Sequence, residues 1–162
     1  MMKFDSSLLK TYRTLLETTD LQRAYQEFIR LFRYLRGELE RQLTDCRFQS
    51  GISENAMDYA YFSFTNQTLR ECGLKLAVAF VYKDFQLEVW LSGVNRDAQR
   101  RWASQLKNCP RPVEAAADPA HTDYLLRLPV QADLSDGDAV VAAIKKAVEI
   151  LLGLLSPKNR AV

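Results

Sequence analysis

The sequence predicts an α+β fold: an antiparallel sheet of four to five strands, with helices layered mainly on one face, in the order α-α-β-β-β-β-α-β-α. Three observations carry that reading. Apolar residues recur at helical spacing from Leu21 to Leu43, and two alternating segments, LKLAVAFVYK and QLEVWLSG, flank Asp84-Phe85. An apolar-rich closing segment follows the capping run Ser135-Asp136-Gly137-Asp138. A period near 3.6 marks helix and a period of 2 marks strand, and a chain that switches between them packs helices on a sheet.

In chain order, Asp5 or Ser6 can cap a first helix reaching Thr18, with Leu8, Tyr12, Leu15 and Leu16 at helical spacing. Thr19-Asp20 then offers a new cap for a long helix to about Leu43. On it Leu21, Ala24, Tyr25, Phe28, Leu31, Phe32, Leu35, Leu39 and Leu43 share one broad face, which by default lines the domain's own core. Arg36 lies at the stripe's edge, within reach of Glu40.

Arg47 to Ile52 reads as an edge strand, and Met57 to Phe64, aromatic and β-prone, as a second strand. Asn66 to Gly73 breaks the pattern. In the hairpin that follows, Leu74, Leu76, Val78, Phe80 and Tyr82 align with Leu87, Val89 and Leu91 on the helix-facing side. A two-residue turn at Asp84-Phe85 sets Trp90 opposite Ala79 and Glu88 opposite Val81 on the other side. A large ring beside Ala77 and Ala79 predicts a shallow hollow there, with Tyr59 and Tyr61 of the preceding strand alongside.

Asn95 is placed to cap a surface helix from Arg96 to about Leu106, with Ala98, Trp102 and Leu106 as its narrow apolar stripe. Asn108 to Asp123 holds Pro110, Pro112 and Pro119, a loop long enough to be either functional or mobile. A strand from Tyr124 to Val130 precedes the last helix, which runs to about Leu155 and is stopped by Ser156-Pro157. Only Asp138, Lys145, Lys146 and Glu149 interrupt its apolar surface, so about two thirds of its circumference calls for burial. Either this helix and the long second helix cover each other on a monomer, or part of the surface is shared across the two-fold axis of a homodimer, the outcome we expect.

Composition bounds the rest. With 162 residues, 48% hydrophobic, 26% charged and a formal charge of +2, one globular domain is expected over 1–162, without a field that would call for a polyanionic partner. Neither an export-type start nor a membrane-length apolar run is found, so no membrane partner is expected. Cys46, Cys72 and Cys109 lack ligand spacing and read as reduced thiols of a cytoplasmic protein. His121 is the only histidine, which leaves no His-based triad or multi-His metal site. No Gly-rich phosphate loop is present, and no cofactor or catalytic constellation is expected.

Two places remain for chemistry. In the hollow, Glu88 lies between Trp90 and the tyrosines, and a carboxyl buried beside aromatic rings is a general-acid candidate; the alternative is cross-strand pairing with Lys75 or Lys83. At the surface helix, Asn95, Arg96 and Arg100 form a candidate anion site, with Lys107 on the same stripe and Arg101 on its flank. The competing reading there is a solvated face balanced by Asp97. Nucleic acid is not the expected partner, because Trp102 faces inward.

The segments MDYAYFSF, LKLAVAFVY and LEVWLSGVNRDAQRRW, over residues 57–102, resemble a family of uncharacterised bacterial proteins carrying a domain of unknown function. The resemblance implies a bacterial, cytoplasmic protein and no particular reaction. The layout also resembles restriction-endonuclease-like folds, but Glu88-Val89-Trp90 has Trp where that chemistry takes Lys, and Asp84-Phe85-Gln86 has Gln. It is similar, too, to the small dimeric chaperones of secreted effectors, from which the charge of +2 departs. A non-enzymatic binding or interaction module is the expected function, with an unidentified protein or small molecule as its partner. A small-molecule protein or enzyme using the Glu88 and Trp90 hollow is the alternative, and anion binding through Arg96 and Arg100 a lesser one.

Overall fold

A computed structural model describes residues 1–156. Helices α1 (Ser6–Thr18) and α2 (Leu21–Gln42) are followed by strands β1 (Arg47–Phe48), β2 (Ser53–Asn55) and β3 (Tyr59–Thr65). Next come α3 (Gln67–Cys72), β4 (Leu74–Val81), β5 (Gln86–Gly93), α4 (Arg96–Ala103), β6 (Glu114–Ala115), β7 (Leu126–Val130) and α5 (Gly137–Leu154). The α+β class stands. The sheet is antiparallel throughout, in the order β1-β3-β4-β5-β7-β6, with β2 also paired to β3.

Among the described residues the sheet has seven strands rather than four or five: the expected edge strand 47–52 shrinks to β1, while β2, which follows it along the same edge of β3, and β6 are additional. Ala56 and Met57 take positive φ values in the turn before β3, so Met57 lies outside the strand. β6 is a two-residue piece inside the proline-rich loop, and β7 starts at Leu126 rather than Tyr124. The break at 66–73 is a short helix: Asn66 caps it through Leu69 N–H at 2.8 Å, and Gly73, at φ +69°, closes it in the left-handed conformation. Helix α4 ends at Ala103, three residues early, though Leu106 stays buried. Pro157, the expected helix stop, lies outside the described residues.

The hairpin register also differs. Phe85 N–H closes on the Tyr82 carbonyl at 3.1 Å, so the turn is centred on Lys83-Asp84, one residue earlier than expected. Phe85 carries a positive φ of 47°, which a Phe rarely adopts and which no residue type announces. Moving the turn by one residue moves the pairing by two. Trp90 therefore faces Ala77 and Glu88 faces Ala79, while every side chain keeps its expected face.

Rows across the sheet make the core. Phe62, Val78, Val89 and Leu128 form one, and Phe64, Leu76, Leu91 and Leu126 the next, all buried under α2 and α5. Phe32, Leu35 and Leu39 of α2 and Val140, Ile144, Val148 and Leu151 of α5 complete it, each fully buried Leu or Phe worth about 1.5–3 kcal/mol. α5 meets α2 from Tyr34, whose hydroxyl donates to Asp138 at 2.6 Å, to Gln42, which accepts from Lys145 at 3.1 Å. The first three turns of α2 lie beyond that cover. There Leu21, Tyr25, Phe28 and Leu31 are half-buried and Ala24 is exposed; Phe28 and Leu31 border the core, but the stripe is fully buried only along its C-terminal half. On α5, Ile150 is 40% exposed and Leu152 and Leu154 are half-buried. Helix α1, although well capped by Asp5, has no buried residue at all.

Beyond β5 the chain leaves the ladder at Val94, touches it again at β6 on the outer edge of β7, and returns at Leu126, while β5 and β7 pair directly. Gly93 lets α4 turn tightly out of the sheet: a Cβ there would lie 2.5 Å from the Gln99 backbone nitrogen and 3.0 Å from the Asn95 carbonyl. Gly93→Ala should therefore lower stability by about 1–3 kcal/mol in urea unfolding, the usual cost of overpacking. An unchanged midpoint would show that α4 can move away freely.

Candidate functional site

The far face of the sheet is built from the residues that alternate with the core rows. Tyr61, Ala79, Glu88 and Pro129 form one row and Ser63, Ala77, Trp90 and Arg127 the next, with Lys75 and Ser92 paired beside them. Small side chains at positions 77 and 79 leave room above the middle strands, and three rings border it. Tyr59 packs on Trp90 with centroids 5.2 Å apart and on Tyr61 at 5.8 Å, and Trp90 packs on Tyr124 at 5.1 Å. The result is a trough of about 250 Å³ lined by Tyr59, Tyr61, Lys75, Ala77 and Trp90 on the strands and by Asn95, Arg96, Thr122 and Asp123 at its end.

The end wall comes from the excursion between β5 and β7. Asn95 Oδ1 accepts the Ala98 N–H at 2.8 Å, starting α4 at the trough, and leaves the first-turn N–H groups of Arg96 and Asp97 as open donors. Gln99, buried, accepts the Gly93 N–H at 2.8 Å and donates to the Thr122 carbonyl at 3.3 Å, tying helix, strand and loop together. Ser92 donates to the Asp123 carbonyl at 2.7 Å. Asp123 accepts from the Tyr59 hydroxyl at 2.8 Å and from Arg96 at 3.4 Å, and Arg96 also donates to the Thr122 carbonyl at 2.6 Å. The Asp123 charge is therefore largely engaged. Lys75, half-buried, has no hydrogen-bond or ion-pair partner among the described residues.

The structure thus brings Tyr59, Tyr61 and Trp90 of the expected hollow together with Asn95 and Arg96 of the expected anion site, which sequence reading treated as separate. Two residues do not join them. Arg100 pairs with Asp97 at 3.5 Å and is 67% exposed, away from the trough. Glu88 is fully buried beneath the face: it accepts from Trp90 Nε1 at 3.0 Å and Gln86 Nε2 at 3.1 Å and faces Arg127 at 3.5 Å. Lys75 and Lys83 take no part in that pairing. Arg127 lies on β7 two positions from Pro129, the residue opposite Glu88, and no local sequence signal announces that β7 pairs with β5 across the intervening α4 and loop.

A family model described as Domain of unknown function (DUF7000) matches residues 5–156. The chain belongs to that family. No curated protein and no solved structure matches it. The match extends well past the central segments 57–102 that suggested such a family, taking in both α1 and α5.

Elsewhere the chemistry is subdued. Burial, with Asp45 alongside, pushes the Cys46 thiol up to about 11, and burial pushes Cys109 up, which keeps both protonated at neutral pH. His121 sits exposed in the loop with Nδ1 2.9 Å from Asp118. Among the described residues no group of three or more His, Cys, Asp or Glu side chains is placed to hold a metal ion, and no helix is long and apolar enough to cross a membrane.

Burial, and then the bond to Asp123, pushes the Tyr59 phenol from 10.0 up to about 12. A phenol whose folded value is raised contributes stability that is complete below its unfolded value and lost as pH rises through the folded one. The stability difference between the native chain and Tyr59→Phe should therefore hold steady below pH 10 and fall between pH 10 and about 12, followed by urea unfolding across that range. A difference that does not change with pH would place the Tyr59 phenolate in water.

Glu88→Ala would strip acceptors from buried Trp90 and Gln86 donors, although Arg127 would keep Glu114, 2.7 Å away. We expect a loss of about 2–4 kcal/mol, and a smaller one for Glu88→Gln, which retains an acceptor for Trp90. Equal losses in the two variants would mean that the carboxylate charge, not the hydrogen-bond acceptor, is what matters.

Proposed function

We propose that this protein is a binding module whose trough takes a small planar anion, such as an aryl carboxylate or aryl phosphate. One observation carries the reading: the half-buried Lys75 ammonium has no partner among the described residues and stands in a trough walled by Tyr59, Tyr61 and Trp90. A cation that is partly withdrawn from water and unpaired favours an anion, and aromatic walls favour a flat apolar body behind that charge. Tyr61 supports it with a hydroxyl that has no partner among the described residues, and the first turn of α4 adds open N–H donors at the far end. Arg96 is held in place by Thr122 and Asp123 and contributes direction more than net charge.

The trough contains no nucleophile with an adjacent base, so the reading is recognition rather than turnover. Three cysteines without disulfide partners suit a reducing compartment, and with the bacterial resemblance of the central segments they support a place in a bacterial cytoplasm.

Calorimetric titration tests this with phenyl phosphate and benzoate, and with benzylamine as a probe of the same shape and opposite charge. The aryl anions should bind and the amine should not. Lys75→Met should weaken binding by about tenfold or more, the worth of a charge-assisted hydrogen bond, and Arg100→Ala should leave it unchanged. Binding of benzylamine equal to that of the anions, or a Lys75→Met chain that binds as the native one does, would overturn the assignment.

A further inference from the structure

Two apolar surfaces of this chain have no partner among the described residues. The first is α1, a capped helix whose Leu8, Tyr12 and Leu15 are 67%, 56% and 42% exposed, with Leu9 and Leu16 on the same stripe. A helix formed with its apolar face in water is stabilised by nothing it touches, since most helical stability comes from packing such a face. The second is a groove of about 1240 Å³ beside the uncovered first turns of α2, lined by Leu21, Ala24, Phe28, Leu31, Phe80 and Phe85. Phe85, at the hairpin tip, is 73% exposed and forms its lip.

We propose that α1 is an exchange arm: two copies of this chain associate by each laying its α1 into the apolar groove of the other. The joint Thr19-Asp20 is only two residues long, so the arm leaves the body at the groove's own edge, where Leu21 begins α2. In a two-fold pair such a joint delivers each arm to its partner's groove while keeping its own groove free, which is the isologous arrangement that closes. The areas agree. The five stripe residues together expose on the order of 500 Å² per chain, so covering both arms and both grooves removes about 2,000 Å², the size of a stable dimer interface.

Charge points the same way. Leaving aside the helix caps Asp5 and Asp136, the groove's lining carries Glu27 and Asp138 against Arg30, and the arm brings Lys3, Lys10 and Arg13 against Glu17. At the base of the groove Glu54 takes the hydroxyls of both Tyr25 and Tyr82, the latter at 2.6 Å, which holds the two rings as a fixed wall. The apolar face of α5, with Ile150 40% exposed, is a much smaller surface and is not the interface proposed.

Light scattering on the full chain at micromolar concentration tests this. The native chain should have twice the monomer mass. Leu8→Glu with Tyr12→Glu on the arm, and separately Ala24→Glu in the groove, should each shift the mass to monomer at unchanged circular dichroism, because none of these residues is buried in the single chain. Ile150→Glu on α5 should remain dimeric. A native chain of monomer mass, or a dimer that survives both the arm and the groove substitutions, would overturn the proposal. So would a monomer that sediments with anionic phospholipid vesicles through Leu8 and Tyr12, since the arm's partner would then be a lipid surface.

Discussion

The structure depends on one constraint: β4 and β5 are buried on both faces. An antiparallel pair usually commits one face to a core and the other to water. Here Val78 and Val89 are fully buried on the helix side, and Ala79 and Glu88, their neighbours along the strands, are fully buried on the other. A second face without helices needs some other cover. It is provided by rings, Trp90 under Tyr59 and Tyr124, and by the returning loop around Asp123. Burial of Glu88 follows from this cover and is tolerable because two neutral donors and a guanidinium converge on it. The trough is the place where the cover stops, between the last ring and the start of α4.

The helical side has a matching asymmetry. α5 begins at Gly137 beside Tyr34 and runs along the C-terminal part of α2 to the level of Gln42. It is too short and starts too late to shelter Leu21 to Leu31. The wide apolar circumference that sequence reading assigned to α5 is mostly satisfied by the sheet and by α2, and the larger uncovered surface lies at the other end of the layer.

The strands and helices that are long and strongly periodic were legible. The α2 stripe, the two faces of the hairpin, the caps at Asn95 and Asp136 and the inward turn of Trp102 follow from spacing and side-chain chemistry alone. Elements shorter than about one period were not: β1 fell within the expected edge strand with the wrong end, and β2 and β6 were unforeseen, because two or three residues carry no alternation to read. The register slipped because Phe85 adopts a conformation that its side chain does not advertise. At the trough, the aromatic and Arg96 components were visible separately, but their meeting depends on the loop at 122–123 returning over Ser92, a long-range contact that local pattern does not encode. Lys75 was read only as a possible cross-strand partner of Glu88 for the same reason: the walls that set it apart come from distant segments.

The direct pairing of β5 with β7 has a consequence for how such a protein can change. Between Val94 and Leu125 only β6 pairs in the sheet, on β7; the rest is fastened by polar clips at Ser92, Gln99 and Arg96 and by Trp102, Leu106, Val113 and Leu125, which enter the helix-side core. Insertions or rewritten side chains at its exposed positions would leave the register of β3, β4, β5 and β7 untouched, since that register is set by pairings outside the segment. The same stretch supplies the trough's end wall. The scaffold therefore separates what must stay constant from what can diversify, in the way that antibody domains separate framework from loops.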